Sequence, residues 1–183
     1  MSDSDEDHGH GHDHHDDHDH HHAHDMDELG VAVVTVSSTR THEDDPSGDV
    51  IESAVESAGH EVVTREIIDD DYDGIQSSVD TLVDRTDVDA VVTTGGTGVT
   101  PDDVTIEATR PLFDKELPGF GELFRGLSRE DIGTRVVGTR ATAGIAGGVP
   151  VFCLPGSENA ARLGIDDVVL PEVGHLAGLA TRE

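Results

Sequence analysis

From Leu29 to Val92 the chain alternates short β-branched runs with amphipathic stretches, and this alternation narrows the possible folds more than any other feature. LGVAVVTVSS, residues 29–38, is apolar almost without interruption through Val36, the pattern of a strand buried on both faces. The polar stretch TRTHEDDPSG, residues 39–48, reads as a loop with a turn at Pro46 to Gly48. Val50, Ile51, Ala54, Val55 and Ala58 then recur at helical spacing and stop at Gly59, a residue suited to a helix C-terminus. HEVVTREII, residues 60–68, reads as a second strand ended by Asp69, Asp70 and Asp71. Ile75, Val79, Leu82 and Val83 mark a second helix, and Val88, Ala90, Val91 and Val92 a third strand. Strand and helix in strict alternation predict a parallel sheet covered on both faces, an α/β protein. Ligands of such sheets sit beyond the carboxyl ends of the strands. Ser37 and Ser38, the Asp69–Asp71 trio and a glycine turn occupy those ends, so three polar clusters are expected on one edge.

The glycine turn is the chemical centre of the chain. In VTTGGTGVTPDDVTIEAT, residues 92–109, Gly95, Gly96 and Gly98 let the backbone take positive φ and bring its amides close to a ligand. Thr100 and Pro101 suit the N-cap and first turn of a helix, whose free amides favour an anion. Asp102 and Asp103 would repel a bare phosphate, and a divalent cation between them removes the conflict. No lysine belongs to this turn, which excludes a Walker-type loop. Downstream, the helix opened at Thr100 and Pro101 is expected to continue through Thr105 to Phe113, followed by a break at Pro118 and Gly119 and then another helix. Residues 135–154 read as two short strands joined at Gly147 and Gly148. Pro155, Gly156 and Ser157 form a second glycine turn, with Ser157 as N-cap of a following helix, and a last helix runs from Pro171 to about Ala180.

With 183 residues the chain supports one domain, taken as residues 29–183, and a tail, residues 1–28. The tail is built almost wholly of His, Asp, Glu, Gly and Ser, which cannot form a core. Ten of the thirteen histidines lie between His8 and His24, and imidazole mixed with carboxylate at this density binds transition metals. A formal net charge of -29, with Lys115 the single lysine, excludes nucleic acid or an anionic membrane surface as the main partner. It fits a protein kept soluble in concentrated salt, as in a halophilic archaeon, where surface repulsion is screened. Cys153, the one cysteine, lies in an apolar run and reads as a small buried hydrophobe in a reducing, cytoplasmic setting. No segment has the form of a signal peptide or a spanning helix.

VTVSSTRTHEDDPSG, TTGGTGVTPDDVTIEAT, LPGFGELFR and LPGS, in that order, resemble the MoaB/MogA family of molybdenum cofactor biosynthesis proteins. The resemblance implies a three-layer α/β/α fold with a mostly parallel sheet, assembled as a trimer or a dimer of trimers. It also implies molybdopterin adenylyltransferase chemistry, in which Mg²⁺-dependent transfer of AMP from ATP to the terminal phosphate of molybdopterin releases pyrophosphate. Some members of the family lack the activity, and the alternatives are a non-catalytic pterin-binding or scaffolding protein of the same fold, or metal handling through the histidine-rich tail. Other cofactor-biosynthesis proteins are implied as further partners, with either molybdenum or tungsten as the eventual metal.

Two aspartates matter in active members, as catalytic groups and Mg²⁺ ligands. One matches Asp103, in the sequence Asp103, Val104, Thr105; the other aligns with Asp69, with Asp70 and Asp71 adjacent. Asp103 has a second possible role, completing a capping box with Thr100. By resemblance Ser37, Gly95, Gly96, Thr97, Gly98 and Thr105 would face nucleotide or pterin, opposite Pro155, Gly156 and Ser157. Glu107, Glu122 and Arg125 also fall at family positions, Arg125 to meet a phosphate or pair with Glu122. Ser38 stands where the family often has a carboxylate, and Thr139 and Arg140 match a Ser-Arg pair. His175, within a terminal apolar helix, reads as structural.

Overall fold

The computed structural model describes residues 26–181. Six strands form one sheet: β1 Gly30–Val36, β2 Glu61–Ile68, β3 Ala90–Thr94, β4 Lys115–Glu116, β5 Thr142–Ala146 and β6 Val149–Leu154. Their spatial order is β2-β1-β3-β6-β5-β4. The first four run parallel, and β5 and β4 add an antiparallel edge. Helices are α1 Pro46–Ser57, α2 Tyr72–Val83, α3 Thr105–Thr109, α4 Pro118–Ile132, α5 Glu158–Gly164 and α6 Leu170–Ala180. A π-helical segment, Ile165–Val169, makes α5 and α6 one continuous rod.

Alternation along the central strands divides the interior into two cores. Val31 and Val33 of β1, Val92 of β3, and Phe152 and Leu154 of β6 face α1, α4, α5 and α6. Ala32, Val34, Val91, Val151 and Cys153 face α2 and α3 on the other side. Both sets are buried, which is why these strands read as unbroken apolar runs. Each fully buried Val, Leu or Phe contributes roughly 1.5–3 kcal/mol, and strand and helix side chains share both cores. Phe120 packs on Phe152 with ring centroids 5.5 Å apart and anchors α4 over β6.

Several boundaries differ from the sequence reading. The helix expected from Thr100 begins at Thr105, where the Thr105 amide bonds the Gly96 carbonyl at 3.0 Å and its hydroxyl donates to Gly95 O at 2.9 Å. It ends at Thr109, and Arg110–Leu112, with Pro111 inside, tightens into a 3₁₀ turn. Pro118 opens α4 rather than breaking a helix, as a proline at the first position can. Residues 133–138 are 3₁₀ rather than strand, and β5 starts at Thr142. The β5–β6 hairpin turns at Gly147 and Gly148, φ 56° and 84°, backbone that an L side chain resists. The helix expected to start at 50 starts at Pro46, capped by Asp45.

Candidate functional site

At the carboxyl ends of β1, β3 and β6 lies a cavity of about 490 Å³, lined by Ser37, Gly95, Gly96, Thr97, Gly98, Asp103, Pro155, Gly156 and Ser157 among others. Its shape depends on glycine. Gly95 and Gly96 have φ of 103° and 64°, and a Cβ on either would stand 2.2 Å from Val36 O or Thr105 Oγ1. Gly156 approaches closely enough that a Cβ there would lie 3.1 Å from the Gly95 Cα. The two glycine turns therefore form facing walls. Thr94 Oγ1 donates to Pro155 O at 3.0 Å, and the Gly95 amide to Leu154 O at 3.0 Å. Ser157 caps α5 by accepting the Ala160 amide at 3.3 Å while lining the cavity. Thr105, completely buried, supports the turn from beneath and does not line the cavity.

Asp103 lines the cavity with its carboxylate already engaged: Oδ2 accepts the Thr100 amide at 2.7 Å and the Thr100 hydroxyl at 2.6 Å. Partial burial pushes this carboxyl up, but the Thr100 hydroxyl, the Thr100 and Gly98 amides and the charge of Arg140 outweigh that and hold it below the ordinary range. The group is an anion at neutral pH with oxygen lone pairs left over. Arg140 ties the loop from behind, donating to Gly98 O at 2.7 Å and Asp103 O at 2.9 Å while pairing with Glu107. That pairing, foremost, lowers the Glu107 pKa. Glu107 faces a neighbouring hollow rather than the main cavity.

The aspartate trio divides its roles. Asp71 caps α2 through the Gly74 amide at 2.8 Å, and Asp70 Oδ2 accepts the Ser38 amide at 2.8 Å and hydroxyl at 2.9 Å. Asp69 is exposed, and none of the three lines the cavity. Glu122 and Arg125 line a separate hollow with Arg110 and Arg140, where Arg125 donates to Ala141 O at 3.3 Å. Cys153 is buried, and its thiol is pushed up by that burial. His8 to His24 lie outside the described residues; among those described, no group of three or more His, Cys, Asp or Glu is arranged to hold a metal.

Three contributors to the site escaped the sequence reading. Arg40 and Ser47 line the cavity, and Asp45 lies beneath it, fully buried. The Asp45 carboxylate accepts Thr35 Oγ1 at 2.6 Å, Ser47 Oγ and the Gly48 amide at 3.1 Å each, and Arg65 Nη2 at 2.9 Å. Burial raises its pKa, but these donors, Thr35 first, outweigh it and leave the group below the ordinary carboxylate value. One carboxylate thus ties β1, α1 and β2 together under the cavity floor. Asp before Pro and two residues ahead of Ser-Gly is an N-cap signal, and it would have moved the helix start to residue 46.

Residues 32–175 match the model of a family described as the probable molybdopterin binding domain. The chain belongs to that family. It is 47% identical over 150 residues to the molybdenum cofactor biosynthesis protein B of Bacillus cereus, a match covering 81% of this chain and 89% of that one. The protein of the same name from Escherichia coli is 41% identical over 143 residues, covering 78% and 84%. A crystal structure of a molybdenum cofactor biosynthesis protein B superposes with a TM-score of 0.83 at 46% identity, covering 85% of this chain and 98% of that one. The tungsten cofactor synthesizing protein MoaB of Pyrococcus furiosus gives 0.76 at 40% identity, with 86% and 99% covered. The three-layer fold with a mostly parallel six-stranded sheet is that of the family. Among the described residues no helix is long and apolar enough to cross a membrane.

Proposed function

We propose that the protein acts in molybdenum cofactor biosynthesis as a Mg²⁺-dependent molybdopterin adenylyltransferase. A terminal phosphate oxygen of molybdopterin attacks the α-phosphorus of ATP, the bond to the β-phosphate bridging oxygen breaks, and pyrophosphate leaves. The carrying observation is a cavity walled by two glycine turns with an ionised aspartate, Asp103, on its rim. Such a transfer is catalysed mainly by positioning and charge neutralisation, so amides, a cation and a carboxylate are the parts required. Arg40, on the cavity wall, supplies a fixed positive charge.

The residues fit a magnesium ion of the substrate-bridged kind, held by one or two carboxylates together with phosphate oxygens and water. Asp103 has spare lone pairs for it, and Asp69, exposed and with no side-chain hydrogen bond or ion pair among the described residues, is the proposed second carboxylate. When bound, the ion neutralises developing charge on the transferring phosphates. Incubation with molybdopterin, ATP and Mg²⁺ is expected to release pyrophosphate and form adenylylated pterin. Asp103→Ala is expected to abolish turnover with modest loss of pterin binding, and a variant at full rate refutes the role.

A second reading, pterin binding without transfer, is favoured by one observation: the Asp69–Asp71 carboxylates stand outside the cavity that Asp103 lines. Pterin binding with no pyrophosphate from ATP selects it. Self-association as a trimer or hexamer is also proposed, supported by the exposed apolar side chains of Leu123 and Val137. Names of relatives include both molybdenum and tungsten, so the reading covers either metal.

A further inference from the structure

Residues 110–140 carry six basic and five acidic side chains, while the rest of the chain carries five basic and thirty-five acidic ones. This stretch is therefore close to neutral in a chain whose net charge is -29. It also holds Val137, 86% exposed, and Leu123, 48% exposed. Val137 lines a hollow of about 430 Å³ beside α4 with Arg110, Arg125 and Arg140, so apolar and basic side chains share one face. Apolar groups with arginine at their margin are the usual make-up of a protein interface. The occupant this face fits is a second copy of the chain. Copies meeting elsewhere bring carboxylate against carboxylate, which repels, and a basic partner would be drawn to that acidic remainder instead.

Val137 belongs to the 3₁₀ segment Gly133–Gly138, to which the rest of the fold gives little support. A Cβ on Gly133 or Gly138 would meet nothing within 4 Å, and no side chain of the segment makes a hydrogen bond or ion pair among the described residues. Residues 129–138 are all exposed except Val136. Yet the two residues that follow belong to the site. Thr139 lines the main cavity, and Arg140 donates to Gly98 O at 2.7 Å and to Asp103 O at 2.9 Å. Only Gly138 and Thr139 separate Val137 from Arg140, so whatever fixes or frees Val137 acts on the guanidinium that holds the Asp103 loop.

We infer that a second copy docking on this face fixes the Gly133–Gly138 segment and, through Arg140, the Asp103 loop, so that the site is fully formed in the assembled protein and slack in the monomer. Association and loop order are then linked in both directions: a ligand that orders the loop also favours association. The consequence for turnover rests on the adenylyltransferase reading, whereas the consequence for the loop does not. The test compares the full unmodified chain with Val137→Asp and Leu123→Asp, both at exposed positions where a new charge leaves the core untouched. Light scattering in molar KCl reads mass, amide hydrogen exchange reads residues 98–103, and pyrophosphate release reads turnover.

The unmodified chain is expected to associate and both variants to be monomeric. In the variants exchange over residues 98–103 should be about tenfold faster or more, with β1, β3 and β6 still protected and turnover lowered by a similar factor. Diluting the unmodified chain until it dissociates should speed the same amides with no substitution made. Arg140→Ala should exchange fast in this loop while still assembled, which places Arg140 on the route. An unmodified chain that stays monomeric, assembly retained in both variants, or monomeric variants with the slow loop exchange of the assembled chain each overturns the proposal. Loop exchange that follows assembly, with no pyrophosphate from any form, sinks adenylyl transfer and leaves the coupling standing. Turnover in monomeric variants equal to that of the assembled chain does the reverse.

Discussion

Asp45 is the residue on which the geometry of the site most depends, since its carboxylate holds three elements and is itself fully buried. Its partner Arg65 also meets Asp49 at 2.8 Å and Glu52 at 2.5 Å; burial pushes the guanidinium's pKa down, but the Asp45 bond, then those to Asp49 and Glu52, outweigh it and raise the pKa. Because Arg65 keeps Asp49 and Glu52 when Asp45 is neutralised, Asp45→Asn is expected to cost about 1.5–3 kcal/mol at pH 7 by urea unfolding, the worth of a charge-assisted hydrogen bond. Because the folded pKa is depressed, the contribution is complete well above the unfolded value of 3.8 and is lost as pH falls below it. The gap between Asp45→Asn and the unmodified chain should therefore shrink on moving from pH 7 to pH 3; an equal gap at both pH values contradicts the assignment. Gly48 permits the arrangement, since a Cβ there would lie 2.1 Å from Asp45 Oδ2. Gly48→Ala is expected to cost about 1–3 kcal/mol by the same measurement. DDPSG showed the turn; that its aspartate enters the interior to meet an arginine twenty positions later was beyond sequence, because such a pair leaves no periodic mark.

At the scale of elements, the loop between β3 and α3 is held by contacts from distant parts of the chain. Arg140, just before β5, reaches back to Gly98 O, Asp103 O and Glu107. Arg140→Ala is expected to speed amide hydrogen exchange across residues 98–103 while β1, β3 and β6 stay protected, since each charge-assisted bond lost is worth about 1.5–3 kcal/mol. Unchanged exchange in that loop would show the glycine turn to be self-supporting. The helix start at 105 instead of 100 has the same origin. Thr100 and Pro101 are locally good starters, but Asp103 closes a turn on Thr100, and the Thr105 bonds to Gly95 and Gly96 fix where the helix begins. The two-residue strand β4 is too short to carry an alternation, so it was legible only through its pairing with β5.

For the whole molecule, a net charge of -29 predicts that the stability of the fold depends on salt. At molar salt the Debye length falls to roughly 3 Å, so repulsion among surface carboxylates is screened. The urea midpoint is expected to rise from 0.1 M to 2 M KCl, and a flat or falling midpoint would remove the halophilic reading. The histidine tail is proposed to be independent of the folded unit. Deleting residues 1–25, which spares Met26 with its amide bonded to Gly174 O at 3.2 Å and its side chain packed on the core, should abolish nickel binding, which in the full chain weakens as pH falls through about 6.5, and leave the melting of the remainder unchanged.

Sequence alone determined the alternation of strands and helices, the edge of the sheet where ligands belong and the glycine turns that wall the site. These follow from local periodicity and from the few residues able to take special backbone angles. Tertiary structure decided which polar groups meet there: Asp45 with Arg65, Arg140 with the Asp103 loop, and Asp70 with Ser38 instead of the cavity. Those pairings join residues far apart in the chain. Their selection rests on packing and the cost of leaving a buried charge unmet, which no local pattern records.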